Sequence, residues 1–383
     1  MDKIEDSVQI RNTVKKLCAR EIPKYQSENY YGTLPLPLFK SFASIGLTGL
    51  SISQDFAGLE SSSETIAAVL EEVATIDLGP AIFLSVHLMV SRIIEKFSQE
   101  SQKTELLPQL AEGKLLAAFG LTEASAGSDA SALKTTATQR NDGFIINGSK
   151  CYITSAGWAD IYIVFAKSGS AENSKEIAAF LVPAKTKGLI IGSPEKKMGC
   201  ELSPIANLTF DNMHLPKEAL LGSLDSGYKI ALSGLAGGRI NIAACANGLS
   251  QASLQIALDY LKEREQFGKP LIEMQGLQFM LADMQIKLET SRLITKKAAQ
   301  QIDSAADQSL QKIFSSMAKC HATDCAMNIT TEAVQLLGGA GYIKEYLVER
   351  YMRDAKMLQI VEGTNQIQRM VIAREMSKAG FKV

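Results

Sequence analysis

LQFMLADMQIKL, residues 277–288, decides how this chain folds. Leu277, Met280, Leu281, Met284 and Leu288 fall at the three- and four-residue spacings that put side chains on one face of an α-helix. No Gly or Pro interrupts the chain from Leu277 to Leu337, so the helical pattern has no built-in stop over that interval. QIDSAAD, residues 301–307, is the polar break that folds it into two long antiparallel helices. The stretch from 227 to 383 therefore reads as a helix bundle.

Working towards the N-terminus, the texture changes. Residues 116–226 carry short apolar runs punctuated by Pro183, Pro194, Pro204 and Pro216. FIINGSK (144–150) contains Asn147-Gly148, a hairpin signal. DIYIVFAK (160–167) is too apolar for a strand with one wet face, and EIAAFLVPAK, LIIGSPE and SPIANLTFDNM read as further strands. Residues 1–115 return to helix: Ile66, Val69, Leu70 and Val73 repeat with helical spacing, Gly79-Pro80 breaks the pattern, and Leu84, His87 and Leu88 resume it. The order helix, sheet, helix predicts an α+β chain that is mainly α, divided at 1–115, 116–226 and 227–383.

The 383 residues include 40 Lys plus Arg and 41 Asp plus Glu, a net charge of −1. Phosphate-backbone binding needs a basic excess or patch, so nucleic acid is not an expected partner. Six Cys form no CxxC pair and three scattered His offer no zinc spacing, so neither a metal site nor a disulfide framework is expected. The N-terminal MDKIEDSVQIRNTVKKL mixes both charge signs and lacks the apolar run of a secretory signal. No run of about 18–20 uninterrupted apolar residues occurs. These features predict a cytoplasmic protein with no membrane span.

Four segments carry candidate chemistry. AAFGLTEASAGSDAS (117–131) crowds small residues around Thr122, Ser128 and Asp129, and small side chains expose backbone N–H groups to a phosphate or heterocycle. It contains neither GxGxxG nor a P-loop. YITSAGWAD (152–160) holds the single Trp158. RINIAACANG (239–248) sets Arg239 at the start of an apolar helix, and REQFGKPL (264–271) ends a helix at Gly268. QLLGGAGY (335–342) and IVEGTNQIQR (360–369) place glycines where a chain turns or a ligand approaches closely. On residues alone, plain helix punctuation is the better-supported reading of these last two segments.

Taken together, these motifs resemble the acyl-CoA dehydrogenase family: LTE-x-x-AGSD, the YIT turn, R-x-x-FG-x-P with Gln275 downstream, QLLGG, MRDAK and EGT-x-x-IQR follow in the family's order and spacing. The resemblance implies an N-terminal helical domain, a middle β-barrel-like domain and a C-terminal four-helix bundle. It implies FAD held by Phe119, Leu121, Thr122 and Ser128, with Tyr152, Ile153 and Thr154 against the flavin. By the same resemblance, Arg264, Gln266, Gln275, Gln335, Gly338 and Gly339 reach the FAD of a neighbouring subunit, and Thr364 and Gln366 hold FAD near the base. Ser128, Arg239, Gly363 and Arg374 match substrate-side positions.

Glu362 matches the catalytic base. Some members carry that Glu instead just before the Arg matching Arg239, and here that position is Gly238. Implied, too, are an acyl-CoA substrate oxidised to a trans-2-enoyl-CoA, an electron-transfer flavoprotein as acceptor, a homotetramer and a place in fatty acid β-oxidation. A scaffold or non-dehydrogenating flavoprotein on the same fold is the alternative, as is a dehydrogenase of a branched, sterol-side-chain or carrier-linked acyl group. Three departures stand out: Ala124 for the usual Pro, Ser155 for the usual Asn, and Val361 for the common Tyr before the base.

Overall fold

A computed structural model describes residues 2–168, 176–304 and 307–379. Five helices come first: α1 (Asp2–Glu21), α2 (Leu36–Ala43), α3 (Ser63–Ala74), α4 (Leu78–Phe97) and α5 (Glu100–Ala111). Their starts are written locally. The Ser62 hydroxyl accepts from the Thr65 N–H at 3.1 Å, and the Asp77 carboxylate accepts from the Gly79 N–H at 2.9 Å. Pro80 lies in the first turn of α4, where its missing N–H costs no helical bond, so the helix break falls just ahead of Gly79-Pro80. By length and composition α4 passes for a membrane span, yet 83% of its apolar window is buried inside the protein, as the core helix of this part.

The middle of the chain is an eight-stranded sheet. Its strands are β1 (Ala117–Gly120), β2 (Thr136–Arg140), β3 (Gly143–Thr154), β4 (Ile161–Lys167), β5 (Ile177–Pro183), β6 (Leu189–Ile191), β7 (Ile205–Pro216) and β8 (Leu220–Leu221). The order is β6-β7-β3-β2-β4-β5-β8, with β1 pairing β4 in parallel. β4 is buried on both faces, as its continuous apolar run requires.

Asn147-Gly148 is not the hairpin turn. The β2–β3 hairpin turns six residues earlier, at Asn141 and Asp142, where Arg140 pairs with Gly143. Asn147-Gly148 lies inside β3 at a shift of register against β7. A Cβ on Gly148 would stand 2.7 Å from the Thr135 Cα, so this glycine serves a bulge and a close backbone approach.

The C-terminal part holds α6 (Gly227–Glu263), α7 (Gln275–Asp303), α8 (Gln308–Leu337), α9 (Val348–Leu358) and α10 (Asn365–Ala379). The stripe of residues 277–288 packs against Leu254, Leu261, Ile329, Ala333 and Leu336, so the start of α7 meets the end of α8 and the two run antiparallel. Within the expected 301–307 turn, Asp303 ends α7 and Asp307 caps α8 through the Ser309 N–H at 2.8 Å; residues 305–306 lie outside the described residues. The expected fold, helices around a middle sheet with a C-terminal bundle, is the one observed.

Two helix boundaries differ from the reading of the sequence. Arg239 lies deep inside α6, because Gly234, Gly237 and Gly238 do not break a helix whose other side is packed. Gly268 ends no helix: α6 stops at Glu263, and Phe267-Gly268, both at positive φ, turn a two-residue hairpin between β9 (Glu265–Gln266) and β10 (Lys269–Pro270).

Candidate active site

α9 and α10 are joined by residues 359–364, and the join is left-handed: Glu362 has φ 57° and Gly363 φ 89°. Gly takes such angles freely, whereas for Glu the left-handed region costs about 1–2 kcal/mol. The surroundings hold it there. The Gln368 amide donates to the Glu362 carbonyl at 3.1 Å and to the Gly363 carbonyl at 2.8 Å. The Lys319 ammonium, from α8, donates to the same Gly363 carbonyl at 3.0 Å and to Asn365 Oδ1 at 2.8 Å. With these carbonyls turned inward, trans peptide geometry sends the following N–H groups outward. Among the described residues the backbone N–H groups of Glu362, Gly363 and Thr364 meet no acceptor.

The Glu362 carboxylate rests against α6 at Gly238. A Cβ built there would stand 2.6 Å from the Glu362 carboxyl carbon, so only glycine leaves the carboxylate its place. Glu362 Oε2 is buried with no hydrogen-bond partner. Burial pushes the Glu362 carboxyl up to about 7, against the opposing pull of the Arg239 and Lys319 charges. Arg239, 7% exposed, donates to the Ser316 hydroxyl at 3.3 Å and leaves its Nε unpaired. The result is an aimed carboxylate near neutrality, with unclaimed N–H donors on its own turn. That set can take a proton from carbon and hold a developing oxyanion.

A second group forms around the ends of β1 and β3. The Cys151 N–H donates to the Thr122 carbonyl at 2.9 Å, tying the LTE loop to the YIT segment. Phe119 packs on Phe165 with ring centroids 5.0 Å apart. Ile153 is buried, Tyr152 is 64% exposed, and both Tyr152 and Ser155 have positive φ. The loop is braced from within: the Glu123 carboxylate accepts from the N–H groups of Lys134 and Thr135 at 2.6 and 3.0 Å and pairs with the buried Lys150 at 2.7 Å. Lys150 also donates to the Leu121 carbonyl at 3.2 Å. The hydroxyls of Thr122, Ser128 and Thr154 make no hydrogen bond among the described residues, and Gly127 borders open space. Free hydroxyls, exposed loop backbone and a flanking Tyr fit a polar, flat cofactor.

The third group stands apart. Arg264, Gln266, Gln275, Gln335, Gly338 and Gly339 are exposed at the far end of the bundle. From Arg239 to Arg264 along α6 is about 37 Å at 1.5 Å per residue. These residues therefore cannot act at Glu362 of their own chain. Phe267 (93% exposed) and Tyr342 (85%) lie at the same end. Gln366 and Arg374 are exposed on α10; Arg374 Nε meets Glu375 at 3.3 Å. Reading the sequence missed Lys319, Gln368, Asn365, Glu123 and Lys150. Glu123 and Gln368 fall inside quoted motifs, so those motifs were the available signal; Lys319 has none nearby.

Three family models match in succession: the acyl-CoA dehydrogenase N-terminal domain over residues 4–114, the middle domain over 118–213 and the C-terminal domain over 225–377. The chain belongs to the acyl-CoA dehydrogenase family. Its relatives by that membership are oxidoreductases. A short-chain-specific acyl-CoA dehydrogenase of Megasphaera elsdenii is 41% identical over 91% of this chain and 92% of its own length. A chain solved in work on the electron transferring flavoprotein of Acidaminococcus fermentans and its electron bifurcation superposes with a TM-score of 0.93, at 38% identity over 97% of this chain and 98% of that one. The FAD complex of PigA superposes with a TM-score of 0.92 at 27% identity, covering 97% of each chain.

Proposed function

We propose that this chain is an FAD-dependent dehydrogenase of a short acyl-CoA, with Glu362 as the base that removes the α-proton. The observation that carries the reading is the Glu362 carboxylate: buried, unpartnered at Oε2, carried on a left-handed turn and lodged against Gly238. An α-proton of a thioester is weakly acidic, so its removal needs a carboxylate of raised basicity and donors for the enolate oxygen. The free N–H groups of the turn supply the donors on the protein side. Arg239 and Lys319 supply positive charge as negative charge passes from the carboxylate to the substrate.

Thr122, Ser128 and the loop backbone hold FAD with Phe119, Leu121, Tyr152, Ile153 and Thr154, and Thr364 and Gln366 hold it from the side of the base. When bound there, FAD would supply two-electron redox chemistry, the acceptor for the β-hydrogen, with an electron-transfer flavoprotein as the partner that reoxidises it. α4 closes on α6 one turn from Gly238, where a Cβ on Gly234 would stand 3.2 Å from Ile93 Cγ1, and this supports a short acyl group. The distance of Arg264, Gln266, Gln275, Gln335, Gly338 and Gly339 from Glu362 supports their service to the FAD of a second copy, an arrangement that the proposed homotetramer would contain. The functional units are residues 1–115, 116–226 and 227–383, and the enzyme works in the cytoplasm in β-oxidation.

The test is Glu362→Gln, which keeps size and polarity but accepts no proton. The variant retains FAD and binds butyryl-CoA, while flavin bleaching in anaerobic stopped flow slows at least ~10²–10⁴-fold. In the wild type the rate climbs as pH rises through about 7, because the carboxyl of Glu362 must be ionised to act. Wild-type bleaching by the Gln variant refutes the assignment.

A further inference from the structure

We infer that Lys319 is the positioning residue of the base: its two hydrogen bonds clamp the left-handed Glu362–Gly363 turn, and its charge faces the carboxylate that the turn presents. The inference rests on the reading of Glu362 given above. Lys319 lies mid-way along α8 with its side chain 0% exposed. A lysine is rarely buried without strong partners. Here the partners are not carboxylates. They are the Gly363 carbonyl and the Asn365 side-chain oxygen, the two groups that flank Thr364 immediately after the base.

Asn365 is itself locked. Its amide nitrogen donates to the Thr323 hydroxyl at 2.9 Å and to Asp324 at 2.7 Å, and its N–H donates to the Gln359 carbonyl at 3.0 Å. Lys319 thus fastens the turn to α8, while Gln368 fastens the same Gly363 carbonyl to α10. The two clamps differ in one respect: both hold carbonyls, and only Lys319 carries charge.

The groups facing Lys319 are Cys320 and Asp324 on α8, Arg239 on α6 and Glu362 on the turn. Burial lowers the lysine to about 8, which leaves it mainly cationic where Glu362 titrates, near 7. A cation there favours the ionised carboxylate. Removing it lets burial drive the carboxyl further up, so the base is protonated over a wider range of pH.

A purely structural lysine would alter folding or rate and leave the titration of Glu362 alone. Lys319→Met and Gln368→Leu separate the roles. Both lower the rate of flavin reduction by butyryl-CoA, by about 10–100-fold if the carboxylate shifts by up to an ångström. Lys319→Met also raises the midpoint of the pH–rate curve by about 1 unit or more, whereas Gln368→Leu leaves it in place. Lys319→Arg restores the wild-type midpoint.

The same midpoint is read without turnover, from the infrared carboxyl band that Glu362→Gln abolishes, followed with pH in FAD-loaded enzyme without substrate. A Lys319→Met protein whose midpoint matches wild type by both readouts overturns the inference, whatever its rate. If the Met variant does not fold, Lys319→Gln, polar and neutral, carries the same test. Should Glu362→Gln bleach at the wild-type rate, it is the function of Glu362 that fails. A dead Glu362→Gln with an unshifted Lys319→Met sinks only the role of Lys319.

Discussion

Gly238→Ala isolates the meeting point of α6 and the base. The added methyl would stand 2.6 Å from the Glu362 carboxyl carbon. Carbon atoms settle at about 3.5–4.0 Å, so the carboxylate must retreat by roughly 1 Å. The carboxylate is the end of a flexible side chain, and the backbones of α6 and the turn need not move. Misplacement of a reacting group by 1 Å costs about 100-fold in rate, equivalent to ~2.7 kcal/mol of barrier. Stability goes the other way, because Ala is favoured over Gly in a helix interior by ~0.8–1 kcal/mol. The expected variant is therefore as stable as wild type or slightly more so, retains FAD, and reduces its flavin about 100-fold more slowly. Stopped-flow bleaching, flavin content and thermal unfolding on one preparation read all three. Adding Glu362→Asp, which shortens the side chain, returns part of the rate. A Gly238→Ala enzyme with wild-type bleaching and an intact fold would show that the carboxylate does not act from its place against α6.

Glu123→Gln leaves Lys150 buried beside a neutral group and is expected to cost on the order of 3 kcal/mol in the denaturant unfolding of the FAD-free protein, with weakened flavin retention because the same carboxylate braces the Thr122 loop. His87 is buried with its affinity for protons lowered from 6.5 to about 4; the folded state therefore binds fewer protons than the unfolded chain between those values, and the contribution of His87 is complete above 6.5 and lost as pH falls towards 4. Urea midpoints from pH 7 to 4.5 should fall less steeply in His87→Gln than in wild type. Val361 packs half-buried against the main core beside the base; Val361→Tyr should change the ratio of kcat/KM for butyryl-CoA over isobutyryl-CoA by about 10-fold, and an unchanged ratio would remove Val361 from the acyl pocket.

The elements that could be read in the sequence were those whose signal is local. The Leu277 stripe and the all-apolar β4 obey periodicities set by backbone geometry, and the structure keeps both. The errors arose where a local signal was outvoted. Asn147-Gly148 reads as a turn because both residues tolerate positive φ, yet pairing with β7 on one side and Thr135 on the other holds the pair inside a strand. Arg239 reads as the start of an apolar helix, yet α6 begins at Gly227 and runs straight through Gly237-Gly238, because packing along its length outweighs the helix cost of two glycines. Lys319 could not be read at all. Its neighbours Ala318 and Cys320 are ordinary core residues, and its partners come from a turn forty-odd residues on, so its place exists only once α8 meets α10.

The relation between Gly238 and Glu362 has a steric origin. Family resemblance pairs an empty position on α6 with a filled one after α9, which on sequence alone is only a correlation. In the structure the Cβ that Gly238 lacks would fall where the Glu362 carboxylate lies. A side chain at 238 would begin where the Glu362 side chain ends, so the two cannot occupy that space together. Two carboxylates would also repel each other as like charges in a buried space. With Glu362 in place, the site therefore excludes a second glutamate at 238 by volume and by charge. The left-handed φ of Glu362 belongs to the same constraint. A base arriving from the turn must reverse direction at once to reach α6, and the clamp of Lys319 and Gln368 on the Gly363 carbonyl holds that reversal in place.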